Sequence, residues 1–443
     1  MMIYDVAVIG AGASGLLAAV TAARSGARVI LLEHMEQAAK KILATGNGKC
    51  NYTNADQKLE NYYCEDPDFL RKVFRQFSYS DTIRFFEELG IRPLQKNGTC
   101  IYPESEQAAS VKSVLLAEAE RLQCRLLLSV GIRSIHKRKN VRAFAIETKE
   151  NVIYSRTCIL AAGGKAAKKT GSDGSGYIYA RQLGHRIQKP LPALAALSAD
   201  YTDWRLPAGV RISSAASLYA DGERQACERG ELQITDYGIS GIVVFQFSRI
   251  ASKALAENRQ VQVRLDFKPD MSEAELTEYL TERFTSIFHR DQSMEQGLIG
   301  FLPDKLIPLI LKRAGLQAAE AGASCSRKQA RRLMRQIKNY EVRITGIKGF
   351  DSAQVTAGGV PIQEICAESM ESAKVPGLYF AGEIVDVDAK CGGYNLQWAW
   401  SSGYVAGKNA AGTLHQRPAE RIMGKNDKDS ADQSTCHTQQ TGY

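Results

Sequence analysis

At 443 residues, 44% hydrophobic and 24% charged, the chain has the composition of a soluble globular protein with room for two or three domains. Its apolar stretches are broken by Gly, Arg or Glu before any could span a bilayer, and an N-terminus carrying Asp5 without a basic segment is no signal peptide. Ten cysteines without a C-x-x-C pair exclude a zinc or dithiol centre and leave no metal site, so reduced thiols in a cytoplasm are expected, while a net charge of +9 asks what the basic residues face.

The first predicted element is the apolar strand Ile3–Ile9, followed by Gly10-Ala11-Gly12-Ala13-Ser14-Gly15 and an Ala/Leu-rich helix over 16–25. After Gly26 a second apolar run, 27–32, ends in Glu33. This is a βαβ unit carrying G-x-G-x-x-G with an acid at the end of its second strand. Gly10 permits the tight turn, Gly12 lets a pyrophosphate approach the backbone, and Gly15 lets the helix pack on the strand. The helix N-terminus at Ala13 and Ser14 offers free N–H groups and a partial positive charge. Glu33 is placed to accept hydrogen bonds from ribose hydroxyls. These residues together predict an adenine dinucleotide.

Further along, 118–128 reads as a helix feeding a strand at 129–132, with Ile132 counted among the cofactor contacts. Runs at 135–137, 141–148 and 152–155 alternate as a small antiparallel meander. Residues 157–164 read as a buried strand ending in Ala162, Gly163 and Gly164. The loop 170–176, rich in glycine, lacks a Walker Lys-Ser/Thr pair and reads as cofactor support. Residues 193–267 show short alternating runs and turns, whereas 272–339 has helical periodicity. Within the first of these, 230–241 reads either as a turn facing a polar group or as a structural loop at a barrel rim. The basic residues Arg327, Lys328, Arg331, Arg332, Arg335 and Lys338, and the run 136–139 in a hairpin turn, are weighed as a nucleic-acid surface. Without interleaved aromatics they read better as solvated faces.

Near the end, 377–383 is an apolar strand closing on Gly382-Glu383, and 391–397 opens a helix with Gly392 and Gly393. This second anion-accepting end is superfluous for a nicotinamide enzyme and fits a flavin, whose pyrophosphate lies on the first helix while its ring reaches the last. N–H groups around Tyr394, Asn395 and Leu396 would stabilise negative charge at the reduced ring, and Glu383 would bind a ribityl hydroxyl. No second strand-G-x-G-x-x-G encodes a tight NAD(P)H site. Polar residues 414–443 read as a disordered tail.

The segment Lys40-Lys41-Ile42-Leu43-Ala44-Thr45-Gly46-Asn47-Gly48-Lys49-Cys50-Asn51, with 230–241, 355–360 and 380–397, resembles the bacterial family of predicted NAD(P)/FAD-dependent oxidoreductases that includes aminoacetone oxidase and bile-acid-pathway flavoproteins. The resemblance covers both ends and the middle of the chain. It implies an α/β fold with a split Rossmann-like FAD domain, residues 1–188 and 346–413. A β-rich plus helical insert, 189–345, would cap the flavin. It also implies a small-molecule substrate, and NAD(P)H as a transient donor or oxygen as electron partner, while the paired glycine motifs and the lack of a flavin-attachment signature predict non-covalent FAD. Oligomeric state stays open.

Lys41, Gly46, Gly48, Cys50 and Asn51 then join the cofactor contacts, since the 46–51 loop brings backbone over the ring. Lys49 would bind phosphate or hold the reduced ring's charge; with Tyr394 and Asn395 it forms the candidate catalytic set. Cys50 reads as a packing thiol. Tyr102, Tyr394 and Trp398 face substrate or the core. The segment 356–360 resembles the T-x-G-G stretch of fumarate-reductase-like enzymes, but Gln354 stands where those carry a substrate-binding His, which argues against dicarboxylate reduction. Two other classes stay open: an FAD-dependent tRNA-modifying enzyme, and a non-catalytic binding scaffold.

Overall fold

The computed structural model describes residues 3–138, 143–200, 207–286 and 292–412. Val6–Ile9, Val29–Leu32 and Cys158–Leu160 are continuous apolar runs with almost no exposure, the signature of strands covered on both faces. They build a seven-stranded sheet in the order Arg125–Leu127, Val29–Leu32, Ile3–Ile9, Val152–Leu160, Ala143–Thr148, Ile132–Arg138, with Leu378–Phe380 also on Val152–Leu160. The first three and Leu378–Phe380 run parallel to their neighbours.

Three boundaries differ from the sequence reading, each for a tertiary reason. The helix ends at Arg121 rather than 128, because Gln123 adopts a left-handed φ of 56° and Arg125–Leu127 then pairs with Ile30–Leu32 as an edge strand. The stretches 152–155 and 157–160 are one strand; its first half pairs with Ala143–Thr148 and its second with Leu378–Phe380. Ile132 and 135–137 likewise share the strand Ile132–Arg138, across a register shift between Ile132 and Ser134. His136–Arg138 therefore lie on a strand, and Lys139 lies outside the described residues, as do 413–443 with the proposed tail.

The last helix, Tyr394–Gly412, lies along the first, Ala13–Arg24, at backbone contact. A Cβ on Gly403 would sit 2.5 Å from Ser14 O, and one on Gly407 2.3 Å from Ala18 O. This closes the two halves of the first unit around one apolar core of residues 6–180 and 360–411. A polar chain is sealed into it: Ser372 Oγ lies 2.8 Å from His185 Nε2, and His185 Nδ1 2.9 Å from Glu364. Ser372 Oγ also accepts the N–H groups of Lys374 and Val375, so its lone pairs are taken and the arrangement pins a loop rather than making a nucleophile.

Leu191–Ala193 and Val355–Ala357 pair antiparallel as the way into and out of the inserted region. Between them Leu197–Ala199, Gly238–Ser240, Glu223–Thr235, Arg211–Ala220, Val261–Asp266 and Tyr340–Ile347 close a barrel with its own core. The 230–241 stretch is this barrel's rim hairpin. A Cβ on Gly238 would lie 2.2 Å from Leu197 O and one on Gly241 2.4 Å from Glu231 O, so its glycines serve strand crossing. The helices Glu273–Thr285 and Arg327–Lys338 pack Leu276, Leu280, Leu333 and Ile337 onto the barrel core. Among the described residues no helix is long and apolar enough to cross a membrane, and no acidic, His or Cys cluster could hold a metal ion.

Candidate flavin site

The first turn is built by three glycines with three different environments. Gly10 has φ 101°, and a Cβ there would meet Ala161 O at 2.5 Å; a Cβ on Gly15 would meet Gly10 O at 1.9 Å. Gly12, by contrast, has an ordinary φ of −79° and opens onto space with no atom within 4 Å. The glycine that any residue could replace conformationally is the one facing open space at the helix N-terminus. Glu33 is 8% exposed and braces this turn: its carboxylate accepts the N–H of Ala11 at 2.8 Å and of Met35 at 2.9 Å. Gly171 in the 170–176 loop comes within reach of Glu33, and Gly163 (φ 71°) approaches Ser172 Oγ, so this loop folds over the acid. Ala162 Cα lies against Gly10, and Ser14 Oγ donates to Ala381 O beside Gly382. Ile132 is half-buried, and its carbonyl accepts from Tyr179 OH at 3.0 Å.

Glu383, on the turn after Leu378–Phe380, is the hub of the middle. Lys41 Nζ lies 2.6 Å from Glu383 Oε2 and also donates to Ala166 O. Thr356 N–H donates to Oε1 at 2.9 Å, and Thr356 Oγ1 accepts from the N–H groups of Lys165 and Ala166. Thr356 is buried, and together with Lys41 it brings three chain segments, at 41, 165–166 and 356, to one carboxylate. Nothing in the spacing of Lys41, Thr356 and Glu383 signals this junction.

At the other end, where the sequence places the ring, the backbone is unusual. Gly46, Asn47, Gly48 and Cys50 all have φ between 54° and 85° within five residues, a conformation that turns successive N–H groups the same way. Asn51 is 8% exposed and its Oδ1 has no hydrogen-bond partner. Gly393 (φ 91°) sits beside it; a Cβ there would lie 2.6 Å from Thr53 O and 2.8 Å from Asn51 Oδ1. Asn54 Nδ2 donates to Gly392 O at 2.7 Å, and Trp400 Nε1 to Tyr52 O. The start of the last helix is thus held by residues 51–54.

The candidate catalytic side chains fall in different settings. Tyr394 is 7% exposed, edge-on to Tyr62, and burial with Asp56 and Cys100 nearby pushes its hydroxyl up to about 12. The amide of Asn395 is spent on the backbone: Oδ1 accepts Ala389 N–H, and Nδ2 donates to Ala389 O and Lys390 O. Lys49 is half-exposed and its ammonium meets Glu106 at 3.1 Å. Leu396 is half-buried. Trp398 is core, its Nε1 donating to Gly382 O and its ring packed on Phe69 and Phe74, whereas Tyr102 is partly exposed beside Gly46. Burial raises the Cys50 thiol to about 11 against a weaker effect of Thr45, so it stays protonated. All nine described cysteines are free.

A dinucleotide with a flavin ring fits this chain. Gly12 leaves open space at a helix N-terminus, Glu33 offers buried carboxylate oxygens, and the unsatisfied Asn51 Oδ1 lies beside Gly393 at the opposite helix N-terminus. The chain is 40% identical to the 3-dehydro-bile acid delta(4,6)-reductase of Clostridium scindens, over 92% of this chain and 98% of that one. It is 29% identical to the ribosomal RNA dihydrouridine synthase of Haemophilus influenzae and 28% to that of Escherichia coli, over 90% and 92% of its length and 96% and 98% of theirs. Among solved structures, 3-ketosteroid delta1-dehydrogenase from Sterolibacterium denitrificans shares the fold. It has a TM-score of 0.51 and 12% identity, over 93% of this chain and all of that one. The chain is an enzyme, an FAD-dependent oxidoreductase of α/β architecture. Residues 4–409 match the HI0933-like protein Rossmann domain, and the chain belongs to that family.

Proposed function

We propose that this FAD-dependent oxidoreductase reduces a carbon–carbon double bond conjugated to a carbonyl in a small, steroid-like substrate, with NAD(P)H as transient electron donor. The observation that carries the reading is chemical agreement between relatives whose names differ. The Clostridium scindens protein is named for reducing a 3-dehydro bile acid at its 4,6 positions, the two others for making dihydrouridine in ribosomal RNA. In both, the bond saturated is activated by a carbonyl. The greater identity to the first favours the steroid-like substrate.

When bound, the flavin supplies a hydride from N5. The chain's part is to orient and to manage charge. The first N–H groups of the helix Tyr394–Gly412 have no partner within the helix, and its dipole favours negative charge there more in the reduced state than in the oxidised. Gly10, Gly12, Ala13, Ser14, Gly15 and Glu33 hold the dinucleotide end. Lys41, Glu383, Gly382, Ala162 and Gly163 line the middle; Gly46, Gly48, Cys50, Asn51, Gly393 and Leu396 bound the ring. Asn395 contributes by fixing the 389–390 turn. Tyr394, protonated throughout the neutral range, is the proton donor to the carbon alpha to the carbonyl.

A second reading has one observation behind it. The helix Arg327–Lys338 exposes Arg327, Lys328, Arg331, Arg332 and Arg335 while burying its apolar side, so the insert carries a basic face suited to RNA. One experiment separates the readings. The flavin is reduced anaerobically with NADPH or NADH, then mixed with a 3-oxo-4,6-diene steroid, its saturated ketone, or a uridine-containing ribosomal RNA fragment. Reoxidation by the diene and not by the saturated ketone is expected. Reoxidation by the RNA alone selects the second reading; reoxidation by none of them overturns double-bond reduction.

A further inference from the structure

The end of the site that meets the ring is gripped from two sides, and the second grip comes from the insert. The helix Ile242–Ala256 turns Val243, Val244, Phe247, Ala251 and Ala254 into the barrel core, and its opposite face carries Gln246 and Arg249, three residues apart and so adjacent on the helix surface. Gln246 holds the backbone of Cys391 at both groups: Oε1 accepts its N–H at 2.9 Å, and Nε2 donates to its carbonyl at 3.4 Å. Arg249 Nε donates to Asp388 Oδ1 at 2.7 Å, with the two side chains 13% and 1% exposed. The same guanidinium lies 4.6 Å over the ring of Tyr63, whose hydroxyl donates to Gln246 O. Tyr63 in turn pairs with Asp388 across the short ladder that joins 388–389 to 62–63.

Two features mark this junction as more than packing. Asp388 Oδ2 is buried without a partner, and burial, only partly offset by Arg249, raises the carboxyl to about 7. A carboxylate in that position depends on the cations of the helix Ile242–Ala256, Arg249 in direct contact and Lys253 acting on it more weakly. Second, the grip falls on the residues that lead into Gly392 (φ 129°) and Gly393 (φ 91°), two left-handed glycines in succession. Such a turn has little stiffness of its own, so the direction of the helix N–H groups after it is set by what clamps it.

We propose that Gln246 and Arg249 are positioning residues: by docking the insert on Asp388 and Cys391 they fix the Gly392–Gly393 turn and so set the redox balance of the flavin. This rests on the reading that charge on the reduced ring is held at 391–397. The coupling explains why a buried ion pair is placed between the two cores at this spot, when an apolar contact would dock them without the desolvation cost.

The test is the midpoint potential of the purified holoenzyme, measured by anaerobic spectroelectrochemistry, alongside FAD affinity and thermal midpoint. Gln246→Ala and Arg249→Met are expected to shift the reduced-to-oxidised equilibrium about ten-fold toward oxidised flavin, roughly 30 mV for a two-electron couple. FAD affinity should stay within about three-fold, well under the tenfold worth 1.4 kcal/mol. Arg249→Lys, which keeps the cation, should recover most of the shift. If Arg249→Met does not fold, Gln246→Ala carries the test, since it removes two hydrogen bonds and no charge. An unchanged potential with a lowered thermal midpoint makes the docking merely structural and overturns the proposal. Gly392→Ala, whose Cβ would meet only side-chain atoms of Tyr394 at 3.2 Å and Asn54 at 3.5 Å, disturbs the turn from within and tells the two failures apart. A shift in Gly392→Ala alone overturns the coupling and leaves the charge site standing; no shift in any variant overturns both.

Discussion

The two glycine-rich ends of the flavin site look alike in the sequence and are built on opposite principles. At the first, the atom that forbids a side chain on Gly15 is Gly10 O, five residues away, and the brace is Glu33 at the end of the next strand. At the second, the atoms that forbid a side chain on Gly393 belong to Asn51 and Thr53, and the turn before it is held by Asn54 on one side and Gln246 on the other. The first end is mainly a local motif, closed by Gly10 O and Glu33, with Ala161 and Ala162 reaching in from afar only to exclude a side chain at Gly10. The second is a seam where three distant segments meet, and its glycines are needed because backbone from elsewhere occupies the space.

This contrast is broken most easily at the first turn. Gly15→Val drives a side chain into Gly10 O and should destabilise by more than about 4 kcal/mol, abolishing soluble folded protein. Gly12→Val places its side chain in open space with an ordinary φ, so it should fold with an unchanged thermal midpoint as apoprotein and yet bind FAD at least about a hundred-fold more weakly, near 2.7 kcal/mol. If Gly12→Val retains FAD, the pyrophosphate lies elsewhere and the local reading of the motif fails. Glu33→Ala comes next. It removes the brace on Ala11 and Met35 together with the carboxylate proposed to hold the ribose, each charged hydrogen bond contributing about 1.5–3 kcal/mol. A ten-fold to few-hundred-fold loss of FAD affinity is expected by equilibrium titration; wild-type affinity would leave Glu33 with a role in the turn alone.

A smaller effect is expected where a seam lies away from the cofactor. Glu364 accepts from His185, from Arg186 N–H and Nε, and lies 2.7 Å from Lys374 Nζ. Burial acting alone would raise its pKa, but Lys374 and Arg186 hold it down to about 2. A depressed acid stabilises the fold fully above the ordinary glutamate value of about 4.3, and that stabilisation drains away as the pH falls toward 2. Glu364→Gln should therefore cost about 1–3 kcal/mol at pH 7 in urea unfolding and flatten the acid limb of stability against pH. An acid limb as steep as the wild type's would show that other carboxylates carry it. His185, whose pKa burial lowers against the pull of Glu364, stays neutral at pH 7 and adds no charge to this account.

The smallest effect is expected at Lys49. Its ammonium is half-exposed and shared with Glu106 at the surface, so Lys49→Met should leave the reduced-to-oxidised ratio of the flavin within about two-fold, as fits a solvent-screened charge. A ten-fold change measured at low salt would bring Lys49 back as a charge holder for the ring.

What was legible in the sequence is what a short stretch of chain decides alone. Strand Ile3–Ile9, the glycines and Glu33 stand within one βαβ unit, and the helix Tyr394–Gly412 shows the start expected from its glycine pair. The helical periodicity of 272–339 marks helices that cover the barrel, because the pattern is set by which face is buried, whereas the reading of 193–267 as short alternating runs missed the helix Ile242–Ala256, which lies among the strands and turns one face into the barrel core. Where the sequence erred, a partner from far away decided. Residues 152–160 became one strand because two different neighbours share one edge, and 125–127 left the helix because a parallel strand was there to receive it. The roles of Asn395, Trp398 and Thr356 were set in the same way: an amide, an indole or a hydroxyl has no role until the groups it can bond are fixed in space. The sequence by itself determined the strand, turn and helix that open the chain, since the exclusion of a side chain at Gly15 by Gly10 O and the free N–H groups of the helix start arise within a few residues. Only the tertiary structure decided how the ring end is held, because Asn51, Gln246, Asp388 and Gly393 act through contacts between segments up to about 340 residues apart, and no local pattern records which side chain will meet which backbone.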